Sequence, residues 1–318
     1  MLGPELSISI VNTSNWKYLS PCLNSIYDNI SAMNFEILVV DNHSDDGSKK
    51  KIRESFPDVI LSCNERRFGF AKNNNINLKK SSGDFILLLN DDTLLIDDTL
   101  ELAINFMKKN TDVGILGCRM IDPDGKVQKS SARRFDTLLS TFIAESGISN
   151  IFRSYSTSII EHSGENIISE IDCPQESGMI IRRKTLEEIG LLDEKFFMFG
   201  EGLDWCRRIK NKDWKIIYFP LCKIIHFGGE TNSKINKKMY LQHYKSMNIY
   251  FSKISRAQGF LHRVLIIFIY SYKYLFKIIE NFFRKIIGKE KNEKISLYKS
   301  IIDLFLFRYD DQNYPFPR

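Results

Sequence analysis

The sequence predicts an α/β fold, a mostly parallel sheet flanked by helices, followed by an amphipathic helical extension toward the C-terminus. Three observations predict it. Apolar runs of about four to six residues alternate with helix-like stretches of about ten, which indicates successive βα units. Polar clusters follow those runs at Asn12, at Asp41 and at Asn90 to Asp92, where open α/β sheets receive ligands beyond their strand ends. Later in the chain the apolar period changes to three and four, the period of a helix face. The 318 residues are 43% hydrophobic and 26% charged, which excludes wholesale disorder, collagen and a simple coiled coil. The expected organisation is a ligand-binding α/β domain over 1–231 and a basic helical region over 232–318.

The elements follow in order. Strands are expected at Leu6–Val11, Phe35–Val40, Val59–Ser62, Phe85–Leu89 and Val113–Gly117, each a short apolar run. Helices are expected at Lys17–Tyr27, Lys49–Ser55 (stopped by Pro57), Ala71–Lys80 and Asp97–Lys109. The Ser-rich stretch Ile121–Glu170 reads as loops and short helices. A strand at Met179–Ile181, a helix Lys184–Ile189 capped by Gly190 and a helix Leu203–Lys210 come next. Lys215–Phe219 reads as a strand ended by Pro220, leaving His226-Phe227-Gly228-Gly229 in a loop.

Charge is unevenly distributed. Net charge is +6, yet Ser233–Lys299 holds 15 Lys and Arg against three acids, and the remainder is net acidic. A basic tail on an acidic body suits a polyanionic surface. In that tail Leu261, Val264, Leu265, Phe268, Tyr272, Leu275, Phe276, Ile279, Phe283 and Ile286 fall on one helical stripe, broadened by Ile266, Ile267 and Ile269. Arg263, Lys273, Lys277, Glu280, Arg284 and Lys285 lie opposite. The charge-free stretch Val264–Tyr272 is too short to cross a bilayer, so the helix reads as lying in a membrane interface or as packed on its own protein. Nucleic-acid binding is disfavoured because it would leave the stripe in water. Six scattered cysteines without a C-x-x-C pair point to reduced thiols, and Met1–Trp16 lacks the basic flank of a signal peptide.

Four segments carry candidate chemistry. Asn90-Asp91-Asp92-Thr93 places adjacent carboxylates at a strand end, which suits a hard divalent ion shared with phosphates or a loop capping the next helix. Val39–Ser48 ends a strand in Asp41 and opens a helix through a polar turn, an arrangement for base or ribose donors or for simple capping. Glu201 and Asp204 share one side of a helix start beside Phe197, Phe199 and Trp205, as a general base or as an N-terminal capping pair. His226 completes the set. Neither G-x-G-x-x-G after the first strand nor G-x-x-x-x-G-K-[ST] occurs, so dinucleotide dehydrogenases and P-loop enzymes are disfavoured.

In order, Ser9-Ile10-Val11-Asn12, Val39–Ser48, Phe68–Asn75, Leu88–Thr93 and Gly190–His226 resemble the inverting family 2 glycosyltransferases of GT-A fold, a Rossmann-like architecture. The likeness spans roughly Ser7–Thr231 and is nearest the rhamnosyltransferase-like branch of bacterial surface polysaccharide synthesis. It implies that Asn12 and Asp41, with Ser44 and Asp46 nearby, line the nucleoside pocket. It implies that Gly69, Phe70 and Asn74 shape the loop beneath, and that Asp91 assists. Asp92 matches the second carboxylate of the Asp-x-Asp metal motif, with Asn90 in place of the first. His226 matches the late histidine of the metal or diphosphate, and Glu201 the first member of a Glu-Asp pair. Two departures stand out: Gly202 where the Asp of that pair is usual, and Glu176 where a glycine is common. Either Glu201 or Asp204 must then supply the base, with Glu201 preferred and Asp204 orienting.

The implied activity is transfer of a sugar, with rhamnose expected, from a nucleotide-diphosphate donor to a hydroxyl of a polyprenyl-diphosphate-linked or growing glycan. Mg2+ or Mn2+ is the implied cofactor. The enzyme is expected as a peripheral protein on an anionic membrane surface, at the cytoplasmic face of the inner membrane. The alternatives are a nucleotidyltransferase, disfavoured by the lack of glycine in Asn12–Tyr18, and a sugar-nucleotide-binding scaffold impaired by Gly202.

Overall fold

A computed structural model describes residues 3–148, 166–228, 237–286 and 294–306. The chain forms two compact units. One comprises 1–135, 159–194 and 201–233, and the other 136–158, 195–200 and 234–318.

The first unit begins β1 (Leu6–Asn12), α1 (Trp16–Asn29), β2 (Phe35–Asp41), α2 (Ser48–Ser55), β3 (Ile60–Cys63), α3 (Phe70–Lys80), β4 (Phe85–Asn90). It continues β5 (Thr93–Leu95), α4 (Thr99–Lys109), β6 (Val113–Ile121), β7 (Ala132–Arg133), β8 (Ser169–Glu170), β9 (Cys173–Pro174), β10 (Gly178–Arg182). α6 (Arg183–Ile189), α7 (Glu201–Lys210) and β11 (Lys215–His226) complete it. Among the described residues the main sheet runs β3-β2-β1-β4-β10-β6-β11-β5, with β8 beside β11. β3, β2, β1 and β4 are parallel, so Asn12, Asp41 and Asn90 reach the same edge. β10 is inserted antiparallel between β4 and β6.

The alternation Leu-Ser-Ile-Ser-Ile in β1 sorts the two faces. Leu6, Ile8 and Ile10 join Leu19, Leu23 and Ile26 of α1 and Ala103, Ile104 and Met107 of α4 in one apolar core. Each fully buried Leu or Ile there contributes about 1.5–3 kcal/mol. The serines face a polar seam instead. Ser9 Oγ donates to Asn74 Oδ1 (3.2 Å), while Asn77 Nδ2 donates to Ser9 Oγ, Ile10 O and Leu38 O. The amide N–H groups of Asn77 are thus met by strand acceptors, while its buried Oδ1 has no partner.

Several expectations change. β11 does not end at Pro220 but continues to His226. Its register against β6 shifts between Phe219 and Lys223, so Pro220 lies at a bulge where the ladder needs no N–H. His226 is therefore a strand residue paired with Thr93, not a loop residue, and Thr93, expected in a loop, begins a strand. β6 extends four residues past Gly117, and α4 starts at Thr99 rather than Asp97. The Ser-rich stretch supplies short strands and α5 (Leu138–Ser146), while 149–165 lie outside the described residues, as does Gly229.

In the second unit α5 joins α8 (Lys237–Ile254), α9 (Arg256–Ile286) and α10 (Lys294–Leu306). Leu241 and Tyr244 of α8, Ile266, Ile269 and Tyr270 of α9, and Ile301 and Phe305 of α10 form its core. Tyr270 Oη donates to Glu145 Oε2 (2.8 Å) and lies 2.5 Å from Tyr244 Oη. The face of α9 that packs is thus the one carrying Ile266 and Ile269. The stripe through Phe268, Tyr272, Phe276 and Phe283 is exposed, by 69% at Phe268. Among the described residues no helix is long and apolar enough to cross a membrane.

Candidate active site

At the carboxyl ends of β1 and β2, a strand-terminal amide meets a strand-terminal acid. Asn12 Nδ2 donates to Asp41 Oδ2 and to Ser44 Oγ, both at 3.0 Å. Ser44 N donates to Asp41 Oδ1 (3.0 Å) and Ser14 N to Ser44 Oγ (2.8 Å). Asp41 is fully buried, with Lys49 Nζ at 3.6 Å, so it organises this cradle from beneath. Asp46 Oδ2 accepts from Trp16 N (2.9 Å) and ties the β2–α2 turn to the start of α1. Ser14 (φ 52°) and His43 (φ 60°) lie in the left-handed region, a local cost of the kind concentrated at binding loops.

The loop before α3 is held by side-chain amides. Asn42 accepts from Phe68 N (2.8 Å) and donates to Phe68 O (3.1 Å), and Asn74 Nδ2 donates to Phe70 O (3.1 Å). Gly69 precedes α3 in extended backbone, and Asn74 is buried. Gly69, Phe70 and Asn74 thus sit together, with Asn74 acting through the backbone. Arg66 and Lys72 lie over the Phe68 ring, at 5.1 and 4.0 Å from its centre. This cationic pair the sequence reading did not single out.

β4 ends at Asn90, and the two acids after it diverge. Asp91 is bonded by the Asn15 side chain and the Thr13 backbone, toward the β1–α1 loop. Burial, with some contribution from Asp92, pushes its carboxyl up to about 7 despite those bonds. Asp92 Oδ1 instead lies 3.2 Å from His226 Nε2, with Asn90 Nδ2 3.4 Å from the same nitrogen. The backbone couples the two strands here, since Phe227 N donates to Asp92 O (2.9 Å).

The other ring nitrogen is gripped. His226 Nδ1 lies 2.9 Å from Gln128 Oε1 and 3.0 Å from Gln175 Nε2, and Gln128 Nε2 donates to His226 O (2.8 Å). Gln128 Oε1 is placed to accept from Nδ1–H, the tautomer that turns the Nε2 lone pair toward Asp92 and toward a cation shared with it. The donor set, one carboxylate and one imidazole whose remote N–H is held by a neighbour, fits a divalent ion completed by phosphate oxygens. Among the described residues no cluster of three or more His, Cys, Asp and Glu side chains is gathered for a metal.

Three carboxylates surround the start of α7. Glu201 opens the helix and is 1% exposed. Asp204 Oδ2 accepts from Arg208 Nε (3.0 Å), whose other nitrogens donate to Ile189 O and Leu191 O. Glu176 reaches in from the segment before β10 and accepts from Gly202 N–H, with Arg133 Nη2 at 3.9 Å. Burial raises the Glu176 carboxyl above the ordinary range, against the opposing influence of Arg133 and Gly202.

The profile of glycosyl transferase family 2 matches residues 7–189, more than half of the chain. The chain belongs to glycosyl transferase family 2. It is 25% identical over 255 residues to the rhamnosyltransferase WbbL of Escherichia coli, covering 77% of this chain and 92% of that one. It is 22% identical over 225 residues to an N-acetylglucosaminyl-diphospho-decaprenol L-rhamnosyltransferase of Mycobacterium tuberculosis, covering 67% and 73%. Among solved structures it is similar to TarS of S. aureus, with a TM-score of 0.52, 18% identity and coverage of 79% of this chain but only 39% of that one. A mannosyltransferase of Pyrobaculum calidifontis in complex with GDP-Man and Mn2+ gives a TM-score of 0.55 at 16% identity, covering 80% and 65%. These structural likenesses show the fold, GT-A.

In this family 2 chain the donor-side residues expected from sequence converge as two groups, Asn12-Asp41-Ser44 with Asp46, and Asp92 with His226. Gln128 and Gln175 escaped the sequence reading. Both lie in or beside weakly patterned sequence, and no local signal marks a glutamine that holds a histidine 98 or 51 residues away.

Proposed function

We propose that this glycosyltransferase moves a hexose, with rhamnose as the expected sugar, from a nucleoside-diphosphate donor to a hydroxyl of a polyprenyl-diphosphate-linked or growing glycan, with inversion. The observation that carries the reading is the approach of Asp92 Oδ1 to His226 Nε2 at the strand ends, 3.2 Å apart, with the imidazole fixed from behind by Gln128. The names of the M. tuberculosis and E. coli relatives support the sugar, and the former supports a polyprenyl-diphosphate acceptor.

Asn12, Asp41, Ser44 and Asp46 form the nucleoside end, and the loop held by Asn42 and Asn74 closes beneath it. Asp92 and His226 would hold Mg2+ or Mn2+, which supplies Lewis-acid neutralisation of the departing diphosphate. Asp91 braces the loop that presents Asp92. A carboxylate at the start of α7 takes the proton of the acceptor hydroxyl as that oxygen attacks C1 from the face opposite the leaving group.

The exposed apolar stripe of α9, carried by a region that is net basic over Ser233–Lys299, supports peripheral attachment to an anionic membrane, with the cytoplasmic face as the expected side. The test of function is release of nucleoside diphosphate from a panel of nucleotide sugars, with and without a polyprenyl-diphosphate N-acetylglucosamine acceptor. Acceptor-dependent release supports the proposal. No release from any donor under divalent-ion conditions contradicts it.

A further inference from the structure

Gly202 leaves a space in the first turn of α7, and another residue fills it. A Cβ built on Gly202 would lie 1.8 Å from Glu176 Oε1, 2.5 Å from its Cδ and 2.8 Å from its Cγ. The carboxyl group of Glu176 thus occupies the volume that a side chain at 202 would take. It is anchored there by the Gly202 N–H at a helix N-terminus, where negative charge is favoured.

The three carboxylates of this corner are not equivalent. Asp204, with 5% of its side chain exposed, is paired with Arg208, and that arginine is itself tied to the backbone before α7. Glu201 is 1% exposed. Glu176 keeps 21% of its side chain exposed. Its place in the sheet also fits. Gly178 pairs with Leu89 in antiparallel register, so the residues just before β10 run alongside those just after β4, where Asn90 and Asp92 lie. Gln175, its immediate neighbour, lies against His226 Nδ1.

We propose that Glu176, not Glu201 or Asp204, is the general base of the transfer, presented through the space left by Gly202. This rests on the glycosyl-transfer reading above. The Glu176 carboxylate takes the proton of the acceptor hydroxyl while the oxygen lone pair forms the new bond to C1. The C1–O bond to the diphosphate breaks, and its electron pair leaves with the nucleoside diphosphate. The raised proton affinity that burial gives this carboxyl suits the role. Asp204, through Arg208, then holds the helix that carries Gly202.

The geometry makes the carboxylate exchangeable between the two positions, and that supplies the test. The full chain is assayed with thymidine diphosphate rhamnose, Mn2+ and polyprenyl-diphosphate N-acetylglucosamine. Thymidine diphosphate binding and melting temperature are followed in parallel. Glu176→Gln retains an acceptor for the Gly202 N–H but cannot take a proton. It should lose about 10²-fold or more in kcat while binding and melting stay near wild type. The double variant Glu176→Gly with Gly202→Asp returns a carboxylate to the same volume and should recover turnover to within about tenfold of wild type. Turnover of Glu176→Gln near the wild-type rate would overturn the assignment and leave Glu176 as a helix cap. So would a folded, nucleotide-binding double variant no more active than Glu176→Gln. Failure of the underlying reading looks different, since the wild type itself would then bind no nucleotide and release none.

Discussion

The carboxylate of Asp92 and the imidazole of His226 meet at 3.2 Å although 133 residues separate them, because β5 and β11 pair Thr93 with His226 directly beside them. Removing either ligand should therefore affect the same event. Asp92→Ala and His226→Ala are expected to abolish divalent-ion-dependent donor turnover. Turnover at the wild-type rate in either variant removes that residue from the site.

Gln128 holds His226 through both ring and backbone. Gln128→Ala should weaken the Mn2+ dependence by about 10–100-fold in apparent affinity, the usual effect of losing an orienting partner. A Mn2+ titration of donor turnover reads this, and an unchanged midpoint would show that the ring needs no such support.

Asp204 is buried against Arg208 and belongs to the fabric of α7. Asp204→Ala should destabilise by about 1.5–3 kcal/mol, since a partly buried guanidinium keeps its two carbonyl partners but loses this charged one. Thermal unfolding should show the loss. A variant that melts like wild type but turns over about 10²-fold more slowly would instead put Asp204 in the chemistry.

His262 supplies a pH dependence. It is fully buried against the Phe251 ring, at 4.7 Å between centres, and burial, with a smaller repulsion from His243, lowers its pKa to about 4. The unfolded chain takes up this proton near pH 6.5, the folded chain only near pH 4. The native state binds fewer protons in that window, so its stability is full above pH 6.5 and falls as pH drops toward 4, by on the order of 3 kcal/mol. Melting curves between pH 8 and 4.5 should show this slope, and His262→Gln should flatten it. An equal slope in that variant would assign the acid sensitivity to other groups.

Among the described residues of the second unit, the outer stripe of α9 is the largest run of exposed aromatics. Flotation with anionic liposomes should carry the full chain, and replacing Phe268, Phe276 and Phe283 by Ser should leave it at the bottom. Equal flotation of both proteins would remove the membrane from the account.

Much of the donor half was legible because its signals are local. Each of β1, β2 and β4 is a short apolar run that ends in the polar residue it delivers, so Asn12, Asp41 and Asn90 could be placed at one sheet edge without coordinates. What was not legible depends on distant pairing. Pro220 reads as a stop because a proline normally costs a ladder bond. Only the register shift against β6 shows that this position needs none, and His226 moved from loop to strand with it. The α9 stripe divides in the structure: Ile266 and Ile269 form the face that α8 and α10 cover, and Phe268, Tyr272, Phe276 and Phe283 stay exposed, a division set by partners distant in the chain. At α7 the sequence showed a missing side chain at Gly202 and an unexpected acid at Glu176 as two separate oddities. Their common volume appears only when the segment before β10 is folded against the helix.

The proposed transfer depends on a divalent-ion-dependent nucleoside-diphosphate site at Asp92 and His226. The most direct measurement is calorimetric titration of the full chain with UDP, GDP and thymidine diphosphate, each in Mn2+ and in chelator. At least one nucleotide should bind tightly in Mn2+, at least tenfold more weakly in chelator, and with Asp92→Ala equally weakly in both. Binding that is indifferent to Mn2+, or as strong in Asp92→Ala as in wild type, would contradict the account.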